Sequence, residues 1–562
     1  MTGTFTKRAR AGACVNCRMR KRRCNPVGDG RGCTLCHSLS IPCGLDNSLV
    51  VSRSSNSLQE TKVQDTCVIF HDLARLYFRF IHNVIHTMIH EAKFMQQFND
   101  GTASMMHIYA MCALAARFSD DPVFDGIPRG LRGNVYITEA VRLAQQAIIL
   151  PSLESMQAMV LIGYYYGGEG DTKAKHVYIG LARLHAETLS LWDATKDDSL
   201  SPLHQEEYRR TWLSVDIGSA WSATDISTEP VFLNHGPHVD TLQFDDMAFQ
   251  SLDPSLAPGS PVYPVSPYNM WAYMAKTLGI FNKTSGLLRR MSQGLVPFAD
   301  YCQEAAVLES YLDQWEESLP ASLKYSTENI MSSAEKRLGR TFLAMHIGYH
   351  HFRQMLFFPF LDARRNRHNI KLAEKAAQCK HHANTISKIL QHSTDIEGCD
   401  LNCFIYGHIA VISSCVHLHT LLSSDKPEQL SVARQWLLSN FKYLMDIKSY
   451  WPVVDHSLAR LREFQNSCRD SISDPFVLDN WMARFLTEHS SYISERKTCT
   501  MQPSGLDPET TTASNICAKA PASDSVNNVE TGPDMNDLSD LLHDQQVTSE
   551  ALVSHAIDWL LE

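Results

Sequence analysis

Six cysteines fall within thirty residues as Cys14-x2-Cys17-x6-Cys24-x8-Cys33-x2-Cys36-x6-Cys43, two near-copies of one pattern. Each half sets two thiols with two residues between them and a third after six more. A Cys-x2-Cys pair at a helical turn brings both sulfurs to one metal, and a third cysteine after a short helix closes on the same centre. Six thiolates do not fill two separate tetrahedral sites, which need eight sulfur positions, so two of them must bridge. Soft thiolates at tetrahedral spacing favour zinc or iron-sulfur, and the symmetric doubling favours two Zn2+ ions. A segment of about forty residues buries too little apolar surface to fold alone, so metal binding supplies most of its folding free energy.

The competing chemistry is a disulfide knot, as in small secreted domains. Residues 1–13, a basic N-terminal arm, contain no apolar run that could form the core of a signal peptide. Nor does any later segment read as having the length and apolarity of a transmembrane helix, so no membrane is expected. The other ten cysteines (Cys67, Cys112, Cys302, Cys379, Cys399, Cys403, Cys415, Cys468, Cys499 and Cys517) are scattered, as expected of buried free thiols in a reducing compartment. Cys399 and Cys403 are spaced to share a helix face, with no further ligand pattern around them.

Between Cys17 and Cys24 every residue but Met19 is basic: Arg18, Arg20, Lys21, Arg22 and Arg23. The first 43 residues hold nine Lys or Arg against one acid, Asp29, a net of +8 on a chain whose total is −10, so residues 44–562 carry −18. A basic pole on an acidic chain is the electrostatic footprint of a nucleic-acid contact. A charge run is more often a solvated face, but here it is pinned between metal ligands on a short helix.

The segment CVNCRMRKRRCN resembles the first half of the fungal zinc binuclear cluster (Zn2Cys6) transcription factors. The likeness extends over all six cysteines, Arg18, Arg20, Lys21, Arg23, Asn25 and Pro42. It implies that Cys14 and Cys33 are the bridging pair and that the helix after the first cysteine pair enters the major groove of a CGG half-site. Arg20 and Lys21 would then meet guanine O6 and N7, the acceptors these side chains read best. Arg18 and Arg23, with the less constrained Arg22, would contact phosphates, which hold register without reading sequence. One departure is the loop from Cys24 to Cys33: eight residues with Gly28, Gly30 and Gly32, and its proline at Pro26 and not beside the fourth cysteine.

These residues have to be held by the rest of the chain, whose 562 residues exceed one compact core. The zinc module is expected over 14–43 and a flexible linker over 44–67, rich in Ser and Asn. No coiled coil is legible there: Leu45 and Leu49 are followed at the next seam positions by Ser52 and Asn56. From 68 to 495 apolar residues recur at three- and four-residue steps, as in Tyr77, Phe80, Ile81, Val84, Ile85 and Met88. That period predicts a large all-helical domain. It resembles the fungal transcription factor regulatory domain, or middle homology region, through MCALAARFS at 111–119, the stretch 151–191, EEYRRTWLSVDIGSAWSATDISTEP at 206–230 and LDQWEESLP at 312–320. The likeness implies a regulatory role without catalysis.

Within that domain, seven prolines between Pro230 and Pro267 predict a long surface crossing between two helical subdomains. GGEGDTK at 167–173 lacks the Gly-Lys-Ser/Thr of a phosphate-binding loop and reads as an inter-helix turn. The histidine pairs His350/His351, His381/His382 and His417/His419 point in different directions on a helix and read as surface or satisfied core residues. Glu206, Glu207, Arg209, Arg210 and Trp212 read as an ion-pair network at a helix start. Residues 496–562 are expected to form a disordered acidic tail. From 501 on it holds eleven acids against Lys519 alone, with Leu538, Leu541 and Leu542, then Leu552, Val553, Ile557, Trp559, Leu560 and Leu561, set among the acids. This composition suits an activation segment that folds on a partner, or else a helix that docks on the domain.

The fold class is therefore mainly α: a two-zinc cysteine module, a flexible linker, a large helical regulatory domain and an acidic tail. No catalytic motif is present and no enzyme is expected. The chain reads as a nuclear, sequence-specific regulator of RNA polymerase II transcription, an activator reading CGG-type sites in double-stranded DNA. Coactivators, a second copy of the chain and a small-molecule effector are its expected partners. By family analogy it serves one pathway, such as a secondary-metabolite gene cluster. The rival readings are an enzyme with an accessory zinc module, and a repressor or ligand-sensing adaptor that reads little DNA.

Overall fold

The computed structural model describes residues 56–194, 197–228, 242–260, 269–366, 369–470 and 476–493. The zinc module, the chain up to residue 55 and the acidic segment from 494 onward lie outside the described residues. The chain divides into two units, Met1–Asp72 and Leu73–Glu562. The linker expected over 44–67 is overturned in part, because helix α1 spans Asn56–Phe80. Its opening residues, NSLQETKVQDT, hold no Gly or Pro and contain the good helix formers Leu58, Gln59, Glu60, Lys62 and Gln64.

In the second unit the helices follow in order: α2 Glu91–Asn99, α3 Met105–Ala115, α4 Asn134–Ala147, α5 Leu153–Gly168, α6 Thr172–Thr188, α7 Leu191–Ala194, α8 Pro202–Asp225, α9 Asp246–Gln250 and α10 Met270–Ser292. Then come α11 Phe298–Ser318, α12 Thr327–Glu335, α13 Gly339–Phe357, α14 Ala363–Asn366, α15 Ile370–Asp395, α16 Phe404–Ser423, α17 Pro427–Lys448, α18 Val454–Asp470 and α19 Asn480–Thr487. No strand occurs among the described residues; one isolated bridge joins His82 and His86.

Local chemistry sets the helix starts. Ser152 and Ser155 cap α5 reciprocally, each hydroxyl accepting from the other's backbone N–H at 3.0 and 2.9 Å. Asp171 caps α6 through the Ala174 N–H at 2.9 Å, and Gly170 before it takes a φ of +80°, so GGEGDTK is the inter-helix turn its sequence predicts. Ser201 caps α8, with Pro202 in the first turn where its missing N–H costs nothing.

Helices α5 and α6 pair directly, α8 lies against both, and α10, α13 and α15 continue the stack to α16 and α17. Helix α16 is long and apolar enough to cross a membrane, against the expectation that no segment would be. Its apolar window is 89% buried inside the protein, where neighbouring helices surround it and leave no polar face to select. The crossing predicted over 230–268 is also corrected where it is described. Residues 242–260 carry α9, whose Phe249 packs with Phe244, Leu252 and Leu203 in a buried cluster, so this stretch plugs the core. The described residues from Leu73 onward fall into one unit and not two helical subdomains.

Candidate functional site

None of the residues assigned to metal or DNA from sequence is among the described ones: Cys14, Cys17, Cys24, Cys33, Cys36 and Cys43, and Arg18, Arg20, Lys21, Arg22 and Arg23. Among the described residues no group of three or more His, Cys, Asp or Glu could hold a metal ion. Cys112, Cys302, Cys379, Cys399, Cys403, Cys415 and Cys468 are free thiols, all buried except the half-buried Cys302. Cys399 and Cys403 do not share a helix face as their spacing predicts; both sit in the extended connection between α15 and α16, with Cys403 at the cap of α16.

Near the start of α8 the charged residues form the network their spacing predicts, but Trp212 stays out of it and packs in an apolar cluster with Leu153, Met156, Ala186 and Leu191. The Arg210 guanidinium donates to Glu206 at 3.0 Å, Thr87 at 2.6 Å, Asp246 at 2.7 Å and the Phe244 carbonyl at 2.8 Å. All of Arg210, Glu206, Asp246 and Thr87 are buried, and Glu207 takes Lys93 at 2.5 Å. The network ties the turn before α2, α8 and α9 into one piece.

A second buried charge cluster lies at the other end of α8. The Lys175 ammonium of α6 donates to the Asp225 carboxylate and, at 2.9 Å, meets His489 Nε2. Asp225 also accepts the backbone N–H groups of His489 at 2.5 Å and Ser490 at 2.8 Å. Burial alone would raise the Asp225 carboxyl, but the Lys175 ammonium and the backbone N–H groups of His489 and Ser490 hold it well below the usual carboxylate range. Burial lowers the Lys175 amine against the pull of Asp225, and keeps His489 neutral. Arg460 of α18 closes over the same segment by donating to the carbonyls of Glu488 and Ser491. Sequence reading passed over Lys175; its only local signal is a charge one turn from Ile179 on a buried face.

Beside this cluster lies a partly open cavity of about 120 Å3. Its walls are Tyr164 of α5, Ile179 of α6, Gly218 and Trp221 of α8, Trp271, Met274 and Leu278 of α10, Gly348 and Phe352 of α13, and Phe404, Tyr406 and Ile409 of α16. The Lys175 ammonium and the neutral His489 ring form its polar edge. Three of the buried polar groups on these lining residues have no hydrogen-bond partner: the Tyr164 hydroxyl, the Trp271 indole N–H and His489 Nδ1.

The paired histidines are buried except His381, which is exposed. His350 and His382 meet Nδ1 to Nδ1 at 2.8 Å, and His417 Nε2 takes the Ser387 hydroxyl at 2.8 Å. His351 departs from the satisfied-core expectation, since neither ring nitrogen has a partner.

The family model of the fungal Zn(2)-Cys(6) binuclear cluster domain matches residues 12–50, and that of the fungal specific transcription factor domain matches 74–215. The chain carries both domains of the fungal zinc-cluster family. Its zinc-cluster domain binds two zinc ions, and the six soft thiolates of 14–43 are the donor set this requires. The Zn(2)-C6 fungal-type transcription factor FTF1c of Fusarium oxysporum f. sp. lycopersici is 23% identical over 466 residues, 76% of this chain and 49% of that protein. FTF1a of the same fungus is 23% identical over 467 residues, 77% of this chain and 42% of that protein. An uncharacterized transcriptional regulatory protein of Schizosaccharomyces pombe is 25% identical over 321 residues, 52% of this chain and 33% of that protein. The chain thus spans half or less of the length of these curated relatives. No solved structure matches.

Proposed function

We propose that this zinc-cluster protein is a nuclear, DNA-binding regulator of RNA polymerase II transcription. The observation that carries the reading is the run Arg18 to Arg23, five basic residues in six, inside the matched zinc-cluster domain. Two zincs bridged by Cys14 and Cys33 hold this run on a short helix, Arg20 and Lys21 read the guanines of a CGG half-site, and Arg18, Arg22 and Arg23 grip phosphates. The names of its relatives, all transcription factors or regulators, support the same class. The net charge of −18 beyond residue 43 supports the finer reading of an activator, because the acids gather with apolar residues in 501–562, where a coactivator groove would find both. Service to a single pathway and pairing of two copies on DNA belong to the same proposal.

The test is binding of the full chain to a CGG-containing duplex against a scrambled one. With Arg20→Ala and Lys21→Ala together, discrimination between the two should disappear while weak general binding persists. Discrimination that survives the double change would overturn the assignment of base reading to Arg20 and Lys21, and an unaltered chain that does not discriminate would favour an adaptor. Arg18→Ala should instead weaken binding to every duplex and reduce the slope of log affinity against log salt by about 1.

A further inference from the structure

We propose that the partly open cavity between α8, α10, α13 and α16 is a binding site for a small, neutral ring compound bearing a hydrogen-bond acceptor such as a carbonyl oxygen. Size comes first. At about 120 Å3 the space is close to the ~150 Å3 apolar cavity known to take one benzene ring, so a single ring with a short substituent fills it. The walls are suited to a ring: Trp221, Trp271, Phe352 and Phe404 all face it.

Charge comes next. The cation at the cavity edge, Lys175, is already paired with Asp225, so an anionic ligand would have to displace a buried carboxylate. A cationic ligand meets no free carboxylate among the lining residues. The ligand is therefore neutral.

Polarity is set by the groups without partners, the Trp271 indole N–H, the Tyr164 hydroxyl and His489 Nδ1, which carries the ring proton when Nε2 accepts from the Lys175 ammonium. An indole N–H can only donate, and the Tyr164 hydroxyl has a proton to give, so both call for an acceptor on the ligand. Trp271 is 3% and Tyr164 8% exposed, so solvent does not satisfy them.

The space itself is kept open by glycine. On α13 a Cβ at Gly348 would meet only the Phe352 ring, at 4.0 Å, so a side chain there grows into the cavity. On α8 a Cβ at Gly218 would stand 3.5 Å from the Tyr164 hydroxyl and 3.1 Å from Ile179 Cδ1, narrowing the opposite wall.

The experiment is thermal unfolding of the full zinc-loaded chain, followed by tryptophan fluorescence, with three probes: acetophenone, ethylbenzene and benzoate. Acetophenone should raise Tm by about 2 °C or more at roughly tenfold above its dissociation constant. Ethylbenzene, with the same shape and no acceptor, should do less, and benzoate nothing. Gly348→Leu should raise Tm without any probe and abolish the acetophenone response; Gly348→Ala, which adds one methyl, should reduce it. Trp271→Phe should remove the margin of acetophenone over ethylbenzene while leaving the ethylbenzene response. No response to either neutral ring, an equal response to benzoate, or an undiminished response in Gly348→Ala would each overturn the proposal.

Discussion

Lys175 and Asp225 show how much one side chain can hold in this fold. Their side chains are 3% and 0% exposed, and removing one partner of such a pair leaves the other charged and unpaired in the interior. Lys175→Met should therefore cost about 3–5 kcal/mol in urea denaturation of the full chain. Adding Asp225→Asn to it should restore part of the loss, because no charge is then stranded; a double variant no more stable than the single would contradict this account. The same cluster explains what a linear reading could and could not reach. Glu206, Arg209 and Arg210 were legible as a network because they lie three and four residues apart on one helix. Their partners Asp246 and Thr87 stand 36 and 123 residues from Arg210. Lys175 meets Asp225 across 50 residues and His489 across 314, separations at which no spacing rule operates.

At the scale of elements, close approach between helices depends on a few positions without side chains. Gly168, the last residue of α5, lets the fully buried Trp451 pack on the backbone: a Cβ there would lie 2.4 Å from Trp451 Cε3 and 2.5 Å from Cζ3. The neighbouring carbonyl bond, Val453 N–H to Gly168 O at 3.0 Å, fixes the same contact. Gly168→Ala should destabilise the chain by about 1–3 kcal/mol in chemical denaturation even though alanine is the better helix former. Unchanged stability would mean that α5 and the 451–453 segment slide apart freely. Helices were the most legible level of this protein, because the 3.6-residue period and the Ser, Asp and Pro caps are local signals. Two misreadings have local causes as well. Ser and Asn suggested a linker where Asn56 opens a helix, and the prolines of 230–268 hid the alternation of Phe244, Asp246 and Phe249 that carries that stretch inward. The six-cysteine set and the basic run, in contrast, were read from spacing and charge within thirty residues, and their base and phosphate roles from the family resemblance; all of them lie outside the described residues.

The molecule as a whole is built to be neutral inside at its histidines. Burial pushes His82, His351, His417 and His419 down to about 3 and His90, His107 and His346 to about 4, and lowers His86, His350, His382, His408 and His489 as well. A histidine that is neutral when folded and protonated when unfolded makes unfolding take up a proton. Stability is then unaffected above pH ~6.5 and falls below it, by about 1.4 kcal/mol per pH unit for each such group. Asp216, pushed up to about 7 by burial, and the raised Glu206, Glu207 and Asp246 act in the opposite sense, but they are fewer. Near-ultraviolet circular dichroism should therefore show cooperative loss of tertiary structure between pH 6.5 and 5, roughly where the summed effect overtakes a net stability of ~5–15 kcal/mol. A signal unchanged at pH 4.5 would contradict it. The clamp on Glu488 to Ser491 bears on how the chain can be dissected. The stretch recognisable as the fungal specific transcription factor domain ends at 215, yet its Lys175 is neutralised by Asp225, its Arg117 donates to the Tyr450 carbonyl at 3.0 Å, and its Gly168 carbonyl is taken by Val453. A protein cut at that boundary keeps the recognisable residues and discards the groups that make their burial tolerable. The segment by which kinship is recognised is thus smaller than the segment that must be inherited whole to fold.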